Sequence, residues 1–291
     1  MSTTIKALAA PGPKQALEPF EFDAGPLPDE QVEIAVESCG ICHSDLSMLD
    51  NDWGFSSYPF VPGHEAIGTI VALGEHTKRV KVGDRVGLGW FSGSCGACDQ
   101  CLSGNQNLCL KAEGTILGRH GAFATRVRAH WMWVSPIPQG LDATSAGPLL
   151  CGGITVFNPI VQCGVKPTDS VAVIGIGGLG HMALKFLHAW GCEVTAFTTS
   201  DSKREEALKL GAHRTLNSRN ADELAKAANS FDFILNTANA NLDWNTYIAA
   251  LKPKGRLHTV GAVPEPMAMV AFPMILGQKS LSASPLGSPS T

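Results

Sequence analysis

Residues 171–191, VAVIGIGGLGHMALKFLHAWG, decide how this chain is read. The largely β-branched run 171–174 ends in Gly175, Gly177, Gly178 and Gly180, the way a buried parallel strand passes into a tight turn. A helix is predicted directly after it. Leu179, Met182, Ala183, Phe186, Leu187 and Trp190 recur at the spacing of one apolar helical face, and Gly191 stands where helices commonly stop. Strand, glycine turn and helix are the order a dinucleotide requires. Gly175 permits the sharp turn, Gly177 lets a pyrophosphate approach the backbone, and Gly180 lets helix lie close to strand. The helix N-terminus then faces the phosphate charge. A lone G-x-G-x-x-G also fits a tight turn with no ligand, and it is the flanking strand and helix that favour dinucleotide binding.

Working outward, 291 residues with 44% hydrophobic side chains suffice for two domains with cores of their own. The 22 basic and 26 acidic residues form no block of like charge, which argues against nucleic acid or an anionic membrane surface as partner and for small molecules. Residues 1–10 carry one lysine and no long apolar core, so no signal peptide is read there, and no run reaches the length of a membrane-spanning helix. A cytoplasmic protein is the expectation. The nine cysteines agree with it, since most are clustered or lie beside histidine, a usage that favours metal ligation over disulfides.

Residues 1–151 read as a β-rich domain of small sheets. Residues 31–39 alternate, with Val32, Ile34 and Val36 on one side and Gln31, Glu33, Ala35 and Glu37 on the other. Similar runs at 67–73, 80–88 and 122–127 are punctuated by Gly74, Gly83–Asp84, Pro136 and Pro138. Two thiol and imidazole groupings lie within this domain. Cys42 opens CHSD, His64 and Glu65 lie in PGHEAIG, and Cys151 follows in GPLLCGGIT. Each alone reads first as a buried cysteine or a satisfied histidine. Together, two thiolates and one imidazole make the Cys₂His set of a catalytic zinc with one open position. Cys95, Cys98, Cys101 and Cys109 give C-x₂-C-x₂-C-x₇-C in one glycine- and serine-rich loop, enough thiolate to close a tetrahedral structural zinc site. An iron–sulfur cluster is the sharper rival, but its bacterial run places the fourth cysteine three residues on and before a proline. Disulfides are the blander one.

Taken together, GICHSD, GHEAIG, the four-cysteine loop, PLLCGGITVF and VIGIGGLGH resemble the zinc-containing medium-chain alcohol dehydrogenases. Within them the chain is most similar to the cinnamyl-alcohol-dehydrogenase branch and its bacterial NADPH-dependent aldehyde reductases. The resemblance runs from residue 5 to the last residue. It implies an α/β protein with a GroES-like catalytic domain, residues 1–151, and a Rossmann doubly wound domain, residues 152–291. It also implies one catalytic and one structural zinc, and a homodimer. Carried across by motif, Cys42, His64 and Cys151 hold the catalytic zinc, with Glu65 as an occasional ligand and Cys39 outside the set. Asp45 orients His64, and Ser44 is the hydroxyl nearest the reacting oxygen. His43 and Thr155 fall beside the cofactor, as do Gly178 and Leu179 within the glycine turn. Many relatives end the proton relay at a histidine where this chain has Ser47, which leaves the outer end to His43 or solvent. Trp53 and Trp90 sit where relatives line the cleft, and an apolar slot suits aliphatic or aromatic aldehydes.

Cofactor preference is read past the second buried strand, 192–197. An NAD-preferring chain places Asp or Glu at its end to bind the ribose 2′-hydroxyl. This chain has Thr198, Thr199 and Ser200, followed by Lys203 and Arg204, which leaves room and positive charge for the 2′-phosphate of NADP(H). Lys203 and Arg204 also fit the solvated face of a helix, and Asp201 lies close by. Further strands are expected at 214–216, 231–235, 256–260 and 280–284, with helices at 222–228 and 244–251, and the resemblance puts the loops near Gly261 and Ser284 at the nicotinamide end. At the end of the chain, GSPST reads as a helix start with Ser288 as N-cap and Pro289 at the first position. The family pattern continues through that helix and returns to the catalytic domain. The expectation is therefore a truncated form, less stable and a weaker reductase, and the second functional reading is a non-catalytic zinc- and nucleotide-binding protein. A zinc-ribbon interaction module built on the four-cysteine loop is a third, without the basic surface that nucleic acid needs.

Overall fold

The computed structural model describes residues 4–291. The chain divides into two compact units: one runs to Cys151 and takes in Gly287–Thr291, the other is Gly152–Leu286.

The first unit is antiparallel β structure. Its strands are β1 (Thr4–Ala9), β2 (Glu18–Asp23), β3 (Gln31–Cys39), β4 (Ala66–Leu73), β5 (Arg85–Leu88), β6 (Phe91–Gly93), β7 (Glu113–Gly114), β8 (Arg126–His130) and β9 (Val134–Pro136). A five-stranded sheet has the order β8-β3-β4-β5-β9, while β1-β2 and β6-β7 form separate pairs. The alternation of β3 buries Val32 and Ile34 against Ile70, Val86, Leu88, Val127 and Ala129, which is why this stretch takes the strand period. Glu33 departs from the pattern: it lies on the predicted polar face yet is only 3% exposed. Its carboxylate is bonded to Arg126 and accepts from Arg128 Nε at 2.9 Å. Arg128 also donates to the carbonyls of Ala24, Gly25 and Pro26, tying the loop after β2 to the sheet.

Two expected strands are shifted. The run 80–88 is a strand only over Arg85–Leu88, because Gly83 at φ +91° and the bond from Lys81 N to Asp84 Oδ2 at 2.9 Å make a turn before it. The run 122–127 begins as a loop, whose Ala122 and Phe123 amides bond Gly63 and Pro62, and becomes β8 at Arg126.

The second unit holds β10 (Ser170–Ile174), β11 (Glu193–Thr198), β12 (Arg214–Asn217), β13 (Phe231–Asn236), β14 (Leu251–Thr259) and β15 (Ser280–Ala283). They form one parallel sheet in the order β12-β11-β10-β13-β14-β15, a doubly wound Rossmann arrangement whose order reverses between β10 and β13. Fully parallel pairing buries both faces, so Val171, Ala172 and Val173 have no exposed surface. The helix Gly178–Trp190 follows β10 and ends at Gly191 in the left-handed region, φ +102°. Ala183 and Leu187 of its predicted face are buried, but so is Leu184, while Trp190 sits at the rim with its indole N–H on the Val165 carbonyl. Among the described residues no single helix is long and apolar enough to cross a membrane.

Residues 287–291 group with the first unit. The Ser288 hydroxyl accepts from the Ser290 amide at 3.1 Å, the bond of an N-cap, and donates to the Gly104 carbonyl at 2.6 Å.

Candidate active site

Cys42 ends the extended segment after β3 and is the N-cap of the helix His43–Asp50. Asp45, at the third helical position, accepts from the Cys42 amide at 3.0 Å through Oδ2. Its Oδ1 accepts from the Gly63 amide at 2.8 Å and pairs with His64 Nδ1 at 2.9 Å. Gly63 is required there: at φ +103° a Cβ would come within 2.6 Å of the Phe123 ring. With Nδ1 given to the carboxylate, Nε2 of the fully buried His64 is left facing Cys151 Sγ at 3.3 Å. Cys42 Sγ lies 3.9 Å from Cys151 Sγ. Glu65 completes the group, and one ligand atom from each of Cys42, His64, Glu65 and Cys151 lies within 4.8 Å of every other.

These spacings suit a metal. A tetrahedral zinc with ordinary ligand distances has edges of about 3.8 Å between sulfurs and about 3.5 Å from sulfur to nitrogen. The buried Oε2 of Glu65 has no hydrogen-bond partner, and a Cβ at Gly40 would stand 2.0 Å from it. Burial pushes the Glu65 carboxyl up to about 7. The bond from Cys151, helped by His64, lowers the Cys42 thiol to about 4 and raises that of Cys151, so one thiolate is already favoured between them. Over this group, Trp90 meets the His64 ring edge-on with centroids 4.9 Å apart, Trp53 meets Trp90 at 6.1 Å, and Phe55 stacks on Trp53 at 5.8 Å. Ser44 is half-buried, His43 is exposed and Ser47 is buried.

The four-cysteine loop gathers as a second group, Cys95, Cys98, Cys101 and Cys109. Cys95 Sγ is 3.9 Å from Cys101 Sγ and 3.5 Å from Cys109 Sγ, close to the edges of a zinc–thiolate tetrahedron. All nine cysteines are free of disulfides.

In the second unit, a cavity of about 310 Å³ opens at the C-terminal ends of β10, β11 and β13. Gly175, at φ +85°, has no room for a side chain, since a Cβ would meet Ala238 at 2.8 Å. A Cβ at Gly180 would lie 2.1 Å from the Gly175 carbonyl, which accepts from the Thr237 hydroxyl at 2.6 Å. Around Gly177 and Gly178 a Cβ would meet nothing within 4 Å, which leaves open space at the helix start for a phosphate. Thr198, Thr199 and Lys203 line the cavity, and the buried Thr198 hydroxyl has no hydrogen-bond partner. The lining takes in neither Ser200 nor Arg204. Arg204 is engaged instead by Asp201 through Nε and by Glu223 through Nη2, both at 2.7 Å. Thr155 is half-buried in the helix Gly152–Gln162. Near the expected nicotinamide end, Gly261 packs against the Ala238 backbone, and the Ser284 hydroxyl is shared with His258 Nε2 at 3.0 Å and Asn158 at 3.4 Å.

Sequence reasoning missed Ser218, Thr237, Ala238, Leu242 and Tyr247, which also line this cavity. Their only sequence signal is position after a predicted strand or on the helix Trp244–Ala250, which does not single out a side chain.

Residues 28–139 match the family model of the alcohol dehydrogenase GroES-like domain, and residues 178–291 that of the zinc-binding dehydrogenases. The chain is 57% identical to an aldehyde reductase of Synechocystis over 99% of its own length and 85% of the relative's. Among solved structures it is similar to a cinnamyl alcohol dehydrogenase of Sorghum bicolor, with TM-score 0.93, 36% identity, and 99% of this chain and 85% of that one covered. A Helicobacter pylori cinnamyl alcohol dehydrogenase complexed with NADP(H) gives TM-score 0.89 at 28% identity, with 99% and 85% covered.

Proposed function

The chain belongs to the zinc-dependent medium-chain alcohol dehydrogenases, in the cinnamyl-alcohol-dehydrogenase branch, and from that premise we propose how its residues interconvert aldehydes and primary alcohols with zinc and NADP(H). Cys42, His64 and Cys151 hold the catalytic zinc, with Glu65 within reach, and Cys95, Cys98, Cys101 and Cys109 hold a structural zinc. When bound, the catalytic zinc supplies Lewis acidity to the substrate oxygen and NADPH supplies the hydride. Asp45 fixes the His64 tautomer, keeping the Nε2 lone pair for the metal. Trp90, packed on His64, shields the site from water on that side, and with Trp53 and Phe55 offers an apolar surface to an aliphatic or aromatic aldehyde. The Ser44 hydroxyl gives its proton to the oxygen of the nascent alcohol and recovers one from His43 or from water, since His43 is exposed.

On the cofactor side, the bare backbone at Gly177 and Gly178 receives the pyrophosphate, while Thr198, Thr199 and Lys203 receive the 2′-phosphate. The observation that carries the proposal is the convergence of two thiols, one imidazole and one orphaned carboxylate around a point, with the imidazole tautomer fixed by Asp45. The relatives lend no support to a non-catalytic zinc- and nucleotide-binding protein. A homodimer and a cytoplasmic location are part of this reading; the first rests on the family, the second on cysteine usage, most of it clustered or beside histidine as for metal ligands. The test is NADPH consumption across a panel of aldehydes with zinc measured on the same sample. Zinc and NADPH bound without turnover on any aldehyde would refute it.

A further inference from the structure

We propose that Glu223 is a positioning residue for cofactor choice: it holds Arg204 out of the pocket that takes the 2′-phosphate and so keeps the preference for NADPH below what this chain's cations allow. The inference rests on the reading of that cavity as the NADP(H) site.

The cavity wall carries Thr198, Thr199, Lys203 and Ser218. The Thr198 hydroxyl is buried and unpartnered, which points to an acceptor or donor arriving with a ligand. Arg204 follows Lys203 directly in the chain and is the second cation at this corner, yet its guanidinium is turned between two carboxylates. Asp201 Oδ1 takes Nε and Glu223 Oε1 takes Nη2, each at 2.7 Å. Glu223 is itself anchored, because its Oε2 accepts from the Asn217 amide at 2.7 Å at the end of β12. Asp201 is 76% exposed and only a local strut, whereas Glu223 is 26% exposed and is fixed by backbone. Both carboxylates are therefore engaged by Arg204, which leaves Lys203 as the cation of this pair that lines the cavity.

A 2′-phosphate carries close to two negative charges and is matched in shape by a guanidinium fork. Glu223→Gln removes the competing charge while its amide oxygen can keep the Asn217 bond, so the loop retains its support. Arg204 then gains more from the phosphate than from the neutral amide. Removing the Glu223 charge lifts a repulsion toward the doubly charged phosphate and frees Arg204 to make a charge-assisted contact with it.

The experiment compares adenosine 2′,5′-bisphosphate with adenosine 5′-monophosphate by calorimetry on the full zinc-loaded chain, for wild type, Glu223→Gln, and Glu223→Gln with Arg204→Gln. Neither probe needs turnover. Glu223→Gln is expected to raise the preference for the bisphosphate about 2-fold or more, the screened effect of one like charge removed, and the double variant to lose that gain. An unchanged or lower preference in Glu223→Gln, with an unchanged thermal midpoint, overturns the inference, and so does a gain that survives in the double variant. Wild-type protein that does not prefer the bisphosphate at all would instead sink the NADP(H) reading, and this inference with it.

Discussion

Replacing Asp45 by Asn tests the candidate zinc site at its least replaceable atom pair. The buried carboxylate meets three donors, two on Oδ1 (Gly63 amide, His64 Nδ1) and one on Oδ2 (Cys42 amide). An amide has a single acceptor oxygen. If that oxygen keeps Gly63 and His64, the amide NH₂ faces the Cys42 N–H, and a donor is orphaned beside a metal thiolate. If it turns to Cys42, His64 must take the other tautomer and give its Nε2 lone pair away. The first arrangement is cheaper, at about 1–3 kcal/mol for one unsatisfied buried group. Loss of a carboxylate behind a metal-bound histidine typically weakens metal binding about 10- to 100-fold, or about 1.4–2.7 kcal/mol. Competition against a graded chelator, read by zinc content, should show one zinc per chain lost that much more readily in Asp45→Asn while the four-cysteine site keeps its own. Turnover should fall with the first zinc. Both zincs held as tightly as in wild type, with turnover intact, would mean that Asp45 does not set the His64 tautomer.

Cys151→Ser should abolish turnover with the thermal midpoint little changed, whereas Cys98→Ser should lower the midpoint, because a closed thiolate site contributes folding energy; an active Cys151 variant would overturn the ligand assignment. Thr199→Asp should shift preference from NADPH toward NADH by repelling the 2′-phosphate and accepting from the 2′-hydroxyl, which nucleotide titration reads directly. Glu33→Ala leaves the buried guanidinium of Arg128 without its counter-charge and should cost about 3–5 kcal/mol in denaturant unfolding. Burial pushes the Glu33 carboxyl up, but Arg126 and Arg128 more than offset it and hold it below its ordinary value. Its stabilisation is thus present above the ordinary carboxylate range and lost as pH falls through the depressed folded value, so the gap in unfolding free energy between wild type and Glu33→Ala should narrow as pH falls.

The parallel strands and the glycine turn are readable because β10 and β11 are buried on both faces and β10 in particular is a nearly continuous apolar run ending in glycines. The helix end at Gly191 was readable because a left-handed cap selects glycine. Both thiol groupings stood out by residue type and spacing. What periodicity reports, however, is which face meets apolar neighbours, and Glu33 is buried on the polar face by arginines 93 and 95 residues away. Arg204 shows the same limit on a smaller scale. A run of Lys and Arg after β11 predicts charge at the 2′-phosphate, yet its engagement by Glu223 depends on how β12 and the next helix close the corner. The cavity residues Ser218 and Tyr247 come from separate strand and helix ends, and no local pattern marks them.

The two metal groups differ in the length of chain each must wait for. Cys95 and Cys109 are 14 residues apart, while Cys42 and Cys151 are 109 apart. On a ribosome the four-cysteine loop is complete once Cys109 has emerged, and Cys151 arrives 42 residues later, about 2–8 s at ordinary synthesis rates. The closed site can therefore be filled before the ligand set of the other exists. During that interval Cys42 lacks the sulfur whose bond does most to lower its thiol, so it stays closer to an ordinary thiol until Cys151 arrives.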